Sequence, residues 1–173
     1  MVAAPMAAAR FYQRARPAAT LARRAAGCHA RGMAVLHHEL RLRVRYGETD
    51  QMGVVHHANY ALYVEESRTE LMRERGCSYA ELERRGIGLP VRKLEVRFRA
   101  PAFYEDELAV RTHVARIRAA SVTFESEIHR LSDGAHVASA IVELACVDLR
   151  SRARGPIALP AELRELLEDG AAR

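Results

Sequence analysis

The chain contains one long helical pattern among strand-like segments, and this order limits the folds that it can adopt. One segment that alternates apolar and polar side chains precedes the helical pattern, and four such segments follow it without a second long helix. Successive strands favour an antiparallel sheet, because parallel strands need a long crossover between them. We therefore predict an α+β fold in which the helix packs against one face of the sheet. The helical stripe, at i, i+4, i+7 and i+11, is Tyr60, Val64, Ser67 and Leu71.

Five strands and two short helices are predicted beside the long helix. The Ser132-Asp133-Gly134 turn joins the last two strands as a hairpin, because glycine accepts the positive φ of tight turns. The last strand is apolar or small on both faces, which indicates that both are covered or that one lies at a subunit contact. Ser78 is the predicted N-cap of the first short helix. The strands are 40–46, 91–99, 108–118, 121–131 and 136–148, and the short helices are 79–85 and 161–168.

Length and charge restrict the class of protein. The 173 residues suffice for one domain with a proper core and are too few to expect two. The formal net charge is +5, but residues 1–38 hold six arginines and no acid, which leaves 21 basic and 22 acidic residues elsewhere. The part expected to fold is nearly neutral, so neither nucleic-acid nor membrane binding is indicated. No apolar run approaches the ~18 residues of a membrane-spanning helix.

Residues 1–38 are rich in alanine and arginine and show no clear helix or strand boundary. An arginine-rich, acid-free leader is typical of a mitochondrial or plastid transit peptide, although such leaders usually contain serine and this one has none. Alternatively, the start codon is set too far upstream and Met33 is the initiator. In both cases we expect residues 1–38 to be a disordered or loosely packed extension and residues 39–173 to form the single domain.

The cysteines indicate a reducing compartment. Cys28, Cys77 and Cys146 are odd in number and lack a C-x-x-C pair, which argues against a disulfide scaffold or a zinc ribbon. We therefore expect a cytoplasmic protein, or a mitochondrial or plastid protein if residues 1–32 are a transit peptide.

Segment 46–60 joins the first strand to the long helix and concentrates side chains that can carry chemistry. It places the carboxylate of Asp50 and the imidazoles of His56 and His57 beside the N–H groups that open a helix. These N–H groups have no partner within the helix and favour negative charge. If Tyr46, Asp50 and His57 converge there, they form a site for a reaction that builds negative charge on oxygen.

The same segment resembles a family signature. Residues 49–60 read T-D-x-x-G-V-V-x-H-A-N-Y, which is similar to the signature of hotdog-fold acyl-CoA thioesterases of the 4-hydroxybenzoyl-CoA thioesterase superfamily. The more similar branch is the one associated with the bacterial Tol-Pal system, often called YbgC-like. One position departs from the pattern, since the residue before the motif histidine is usually tyrosine and here it is His56. The resemblance covers residues 40–167, with further matching runs at 78–82, 101–106 and 145–148.

The resemblance implies a single hotdog domain, in which a five-stranded antiparallel sheet wraps around one long helix, and a role for each motif residue. Asp50 acts as the nucleophile, forming an acyl-aspartyl anhydride, or as the base that orients water. The backbone N–H of His57 faces the thioester oxygen, and Gly53 lets the backbone approach closely. The His57 side chain has a supporting acid–base or orienting role, and Tyr46 forms a hydrogen bond with Asp50 or His57.

Four further residues are second candidates. Glu65 and Glu66 lie on the long helix, where some hotdog enzymes carry their catalytic carboxylate. An i, i+3 pair of Glu65 with Arg68, however, fits a solvated helix face equally well. His56 is a second imidazole that can do the same proton work as its neighbour, and Asn59 can form hydrogen bonds within the loop.

Simple structural roles compete with these assignments. An aspartate shortly before a helix often forms a cap or an Asx turn, and this is the alternative for Asp50. Tyr46 ends the apolar face of a predicted strand, where packing explains it. His56 and His57 are consecutive, so on a regular helix their rings diverge by about 100° and cannot hold one metal ion together.

The resemblance implies hydrolysis of a short-chain or aromatic acyl-CoA with no metal or redox cofactor, coenzyme A being part of the substrate. It also implies a homodimer or homotetramer with the site between subunits. Two other functions stay open. A hotdog hydroxyacyl-thioester dehydratase would use His57 with Glu65 or Glu66, although the 50–53 motif counts against it. A non-catalytic dimeric scaffold would use the basic leader to contact an acidic partner or a membrane surface.

Overall fold

One antiparallel sheet of five strands carries the long helix, which confirms the predicted fold. The computed structural model describes residues 38–151 and 155–168. Its elements are β1 His38–Arg43, α1 Asn59–Glu74, α2 Tyr79–Arg84, β2 Ile87–Gly88, β3 Val91–Phe98, β4 Glu107–Ile117, β5 Ser121–Arg130, β6 His136–Ala145, β7 Val147–Asp148 and α3 Ala161–Glu168. The strand order is β1-β4-β5-β6-β3 with every neighbouring pair antiparallel, so β1 and β3 are the edges. A separate two-stranded pair joins β2 to β7.

One face of α1 buries the predicted stripe against the sheet. The sheet contributes Val110 of β4 with Phe124 and Ile128 of β5, all fully buried in the same core. Removal of apolar surface from water stabilises such a contact by roughly 25 cal/mol per Å². The stripe residues, each at most 3% exposed, are Tyr60, Val64, Ser67 and Leu71.

A chain of three buried hydroxyl groups crosses this otherwise apolar contact. The Ser67 hydroxyl oxygen of α1 lies 2.8 Å from that of Thr112 on β4, which lies 2.7 Å from that of Ser126 on β5. The Ser67 hydroxyl also donates to the Val110 carbonyl at 3.3 Å. Because buried hydroxyls need partners, this hydroxyl chain favours one position of α1 along the sheet.

β1 is shorter than predicted. It ends at Arg43, whereas the alternating pattern continues to Tyr46. The Val44 N–H donates to the Asp106 carbonyl at 2.9 Å, and the chain then enters a 3-10 turn at Tyr46–Glu48. Tyr46 therefore lies outside the sheet, and its predicted place on the strand's apolar face is wrong.

The last predicted strand, 136–148, is divided into β6 and β7 at Cys146. The Cys146 N–H donates to the Ala120 carbonyl at 2.9 Å, and its carbonyl accepts from the Ile157 N–H at 2.8 Å. At Cys146 these hydrogen bonds to two loops replace the hydrogen bonds between neighbouring strands. The chain then continues as β7, which pairs with β2.

The two short helices form as predicted. Ser78 caps α2, since its hydroxyl accepts from the Glu81 N–H at 3.3 Å. The helix α3 buries Leu163 and Leu167.

Within the described ranges, no helix is long and apolar enough to cross a bilayer. Cys77 and Cys146 are free and buried. Residues 1–37 of the predicted extension 1–38, and Cys28 with them, lie outside the described residues, whereas His38 is the first residue of β1.

Candidate active site

The segment between β1 and α1 folds back on itself as a closed loop, 49–55. Thr49 and Val55 form an antiparallel bridge, and the Asp50 N–H donates to the Val54 carbonyl at 2.9 Å. The Gly53 N–H donates to the Asp50 carbonyl at 2.9 Å and closes a four-residue turn. Gly53 has φ +76°, which L side chains rarely adopt. The turn itself therefore favours glycine here, and the close approach of a substrate stays a prediction.

The loop is supported by the segment between β3 and β4. Val54 forms an antiparallel bridge with Phe103, and the Val55 N–H donates to the Ala102 carbonyl at 2.8 Å. Ala102 is completely buried, so this support is part of the core.

Asp50 is half-buried in an Asx turn. One carboxylate oxygen, Oδ1, accepts from the Met52 N–H at 2.8 Å. The other, Oδ2, has no hydrogen-bond donor among residues 38–151 and 155–168. The structural alternative for this residue is therefore present, yet it uses only one of the two oxygens and leaves the other for chemistry.

His56 and His57 precede α1, and their rings lie together. The ring centroids are 4.1 Å apart with planes 34° apart, so the predicted divergence is wrong because neither residue is helical. The His56 N–H donates to the Glu48 carbonyl at 2.8 Å, and its Nδ1 accepts from the Ala58 N–H at 3.3 Å. Both histidines are exposed.

The start of α1 carries backbone donors without a side-chain cap. Its N-cap residue is Ala58, which has no side chain that can accept a hydrogen bond. Just before it, the N–H of His57 finds no acceptor in the described part of the chain. Unpaired N–H groups at a helix start favour negative charge, so this end of α1 can hold an oxyanion.

Tyr46 lies 79% exposed at the beginning of the 3-10 turn. Its ring meets the edge of the Tyr104 ring, with centroids 5.6 Å apart and planes 88° apart. Its hydrogen bond with Asp50 or His57 stays a prediction. The exposed pair of tyrosines, adjoining the 49–55 loop, offers apolar ring faces to a planar group.

Glu65 and Glu66 are exposed on α1. Glu65 accepts from the Arg68 guanidinium at 3.2 Å, which confirms the predicted i, i+3 pair. The interpretation as a solvated face is wrong for Arg68, which is only 5% exposed and donates to the Tyr79 hydroxyl at 2.9 Å. The pair therefore ties α1 to α2.

Glu48 was not among the sequence candidates, and it holds the loop at its base. Only 7% of it is exposed, although it is acidic. Its carboxylate accepts from the Arg45 backbone N–H and from the Tyr63 hydroxyl, each at 2.8 Å. Its carbonyl accepts from the His56 N–H and the Asn59 side-chain amide, each at 2.8 Å. The only sequence signal is the i, i+3 spacing of Arg45 and Glu48, and the contact with Tyr63 is not visible without the fold.

Hydrogen bonds keep the Glu48 carboxylate ionised despite its burial. Burial alone would raise the pKa of Glu48, but the Arg45 N–H, the Tyr63 hydroxyl and the Arg45 guanidinium together hold that pKa below its ordinary value. Burial, together with the hydrogen bond to Glu48, raises the pKa of Tyr63, which therefore stays a neutral donor. Across the described ranges, no three His, Cys, Asp or Glu side chains are grouped as metal ligands.

Several known proteins similar to this chain are named as thioesterases or thioester hydrolases. The chain matches the family described as the thioesterase-like superfamily over residues 44–167. It is 33% identical over 126 residues to the acyl-CoA thioester hydrolase YbgC of Escherichia coli, covering 72% of this chain and 93% of that protein. It is also 38% identical over 73 residues to YneP of Bacillus subtilis, a match that spans 42% of this chain and about half (53%) of that protein.

Solved structures confirm the fold. The DHNA-CoA thioesterase of Staphylococcus aureus superposes with a TM-score of 0.72 at 29% identity, covering 77% of this chain and 89% of that one. A hypothetical protein of Thermus thermophilus superposes with a TM-score of 0.70 at 33% identity, covering 76% and 97%. These matches confirm the resemblance seen in segment 46–60. The chain therefore belongs to the thioesterase-like superfamily and is a hotdog-fold thioester hydrolase.

Proposed function

We propose that this enzyme hydrolyses the thioester of a short-chain or aromatic acyl-CoA, with Asp50 as the reacting carboxylate. The E. coli relative is named as an acyl-CoA thioester hydrolase and the S. aureus neighbour as a DHNA-CoA thioesterase, which supports a coenzyme A thioester as substrate. The exposed, edge-to-face pair of Tyr46 and Tyr104 supports a planar or short acyl group, because aromatic faces contact such groups well.

The proposal rests on which polar groups of the loop are hydrogen-bonded within the protein and which are not. Met52 holds one oxygen of Asp50, while the other oxygen and the His57 N–H lack protein partners among the described residues. A held carboxylate and an unpaired donor at a helix start are the two groups that attack on a thioester needs.

Two routes are open for Asp50. As a nucleophile, its free oxygen attacks the carbonyl carbon, the C–S bond breaks, the coenzyme A thiolate leaves and is protonated, and water hydrolyses the acyl-aspartyl anhydride. As a base, Asp50 takes a proton from the water that attacks the same carbon, the C–S bond breaks, and the coenzyme A thiolate leaves and takes up a proton. In both routes negative charge develops on the thioester oxygen, and we assign the His57 N–H as its donor. We assign the exposed His57 imidazole a supporting role in proton transfer.

We also assign a second copy of the chain to the β3 edge. β3 pairs with β6 on one side, and its other side has no strand partner within the described ranges. On this strand Leu94 and Phe98 are 43% and 54% exposed. Such an apolar edge is covered when another sheet pairs with it. A homodimer or homotetramer formed there would have its site between subunits.

The test is a thiol-release assay over acyl-CoA substrates of different chain length and aromatic character, with wild type and Asp50→Asn. We expect wild type to release coenzyme A and Asp50→Asn to lose at least about 100-fold in kcat, as for other groups that act on the reacting atoms. The matched control is Asp148→Asn, because the Asp148 Oδ1 accepts from the Arg150 N–H at 2.8 Å in the same kind of turn.

The outcomes separate the functions. Equal kcat for wild type and Asp50→Asn would remove Asp50 from the mechanism. A wild type that releases no thiol from any substrate would refute the hydrolase and leave the dehydratase or the scaffold. Loss of activity in Asp148→Asn as well would show that the effect is structural.

A further inference from the structure

We infer that Glu48 is a positioning residue of this site, because its carboxylate and its carbonyl hold the two ends of the segment that carries Asp50 and His57. The inference rests on the proposed function for its catalytic consequence. Its structural part concerns the segment 48–57 alone and can be measured without substrate.

The Glu48 carboxylate ties the start of the segment to α1. Its Oε2 accepts from the Arg45 N–H and from the hydroxyl of Tyr63, which lies on α1 and is buried. Its Oε1 accepts from the Arg45 side chain at 2.9 Å. The Arg45 side chain is 80% exposed, so solvent screens that ion pair. The Tyr63 hydroxyl is therefore the donor that fixes the Glu48 carboxylate relative to the helix.

The Glu48 carbonyl ties down the other end of the segment. It accepts from the His56 N–H and from the Asn59 side-chain amide, which are the residue before His57 and the first residue of α1. One residue thus joins the beginning of the segment, its end and the helix. The Thr49–Val55 bridge closes the loop between these two attachments.

The catalytic groups lie next to the attachments. Asp50 follows Glu48 by two residues, and His57 follows His56 directly. A shift of Glu48 would therefore move the carboxylate and the oxyanion donor relative to each other. A misplacement of reacting groups by about 1 Å can cost on the order of 100-fold in rate. Because Glu48 is only 7% exposed and both of its carboxylate oxygens are bonded within the protein, its loss should lower kcat and leave KM nearly unchanged.

Two variants test the inference, and a third is the control. Glu48→Gln replaces one accepting oxygen by a donor, and Tyr63→Phe removes only the hydroxyl that holds Glu48. The control, Tyr79→Phe, also removes a tyrosine hydroxyl that is bonded to a charged side chain, Arg68, at 2.9 Å, but outside the loop. Steady-state kinetics should show kcat lowered about 10- to 100-fold in the first two variants, with KM within about twofold of wild type. The control should keep the wild-type kcat.

Amide hydrogen exchange provides the readout that needs no substrate. The Asp50 and His56 N–H groups both donate hydrogen bonds within the segment. They should exchange at least about tenfold faster in Tyr63→Phe than in Tyr79→Phe if the segment loosens. If Glu48→Gln does not fold, Tyr63→Phe alone decides the question.

The outcomes keep this inference apart from the proposed function. If Asp50→Asn is inactive while Glu48→Gln and Tyr63→Phe keep wild-type kcat, the positioning role is overturned and the hydrolase stands. If wild type hydrolyses no acyl-CoA, the hydrolase is refuted, and exchange at Asp50 and His56 still decides whether Glu48 holds the segment. Equal exchange in Tyr63→Phe and Tyr79→Phe would overturn the inference in either case.

Discussion

Replacement of Thr112 by valine tests the buried hydroxyl chain that joins α1 to the sheet. Valine has nearly the same shape, so the substitution removes the hydroxyl without opening a cavity. Two contacts are lost, at 2.8 Å to Ser67 and 2.7 Å to Ser126. Ser67 keeps the Val110 carbonyl as an acceptor. The Ser126 hydroxyl has no partner other than Thr112 among the described residues, so the substitution leaves it buried and unpaired there.

The magnitude follows from these contacts. Each net hydrogen bond contributes about 1 kcal/mol, and a stranded buried hydroxyl adds about 1–3 kcal/mol of cost. The additional methyl group of valine returns about 0.8 kcal/mol through apolar burial. We therefore expect Thr112→Val to lower the free energy of unfolding by about 3 kcal/mol, which lowers Tm by roughly 6–12 °C for a chain of this size.

Urea unfolding at one fixed protein concentration measures the change. The control is Thr123→Val on β5. Thr123 pairs with Arg116 and lies on the face of the sheet away from α1. We therefore expect its free energy of unfolding to stay within about 0.5 kcal/mol of wild type. The double variant Thr112→Val, Ser126→Ala removes the stranded hydroxyl and should recover about 1 kcal/mol relative to the single variant. A single variant as stable as the control, or a double variant no better than the single one, would refute the reasoning.

Two further predictions concern Glu48 and β3. The pKa of Glu48 is below its ordinary value, so its stabilisation is present above the unfolded pKa and is lost as pH falls through the folded pKa. In urea unfolding at several pH values, the difference in free energy of unfolding between wild type and Glu48→Gln should be largest above pH ~5 and should shrink toward pH 3. A difference that does not change with pH would contradict this. In sedimentation velocity, wild type should migrate as a dimer or tetramer and Leu94→Lys as a smaller species. The control Leu149→Lys changes an exposed leucine outside β3 and should migrate like wild type. A monomeric wild type at micromolar concentration would reject the β3 interface.

Periodicity predicted the elements because most of them bury one face. The α1 stripe and the alternating strands β4 and β5 expose one side to solvent and bury the other in the core, so their spacing is visible in the sequence. The end of β1 was not predictable in this way. Its alternation continues to Tyr46, and only the hydrogen bond from Val44 to Asp106, on a distant part of the chain, ends the strand.

The sequence predicted which segment carries the candidate site, but not the contacts between its side chains. The signature located Asp50, Gly53 and His57 on one loop, because their spacing along the chain is short. Glu48 escaped notice because its significance depends on Tyr63, which is 15 residues away and meets it only after α1 has folded back. The approach of the His56 and His57 rings was missed for a similar reason, since α1 begins two residues later, at Asn59.

The polar groups buried under α1 fix its position and so relate the loop to the sheet. Tyr63 and Ser67 are four residues apart and lie on the same face of the helix, about 6 Å apart along its axis. Tyr63 holds Glu48 and thereby the loop, while Ser67 bonds to Thr112 of β4. Apolar packing is non-directional and would tolerate a small slide of the helix. Hydrogen bonds on consecutive turns would not, because any slide breaks a buried bond at one end or the other. The N–H of His57, at the start of this helix, therefore takes its place from contacts made one and two turns further along α1.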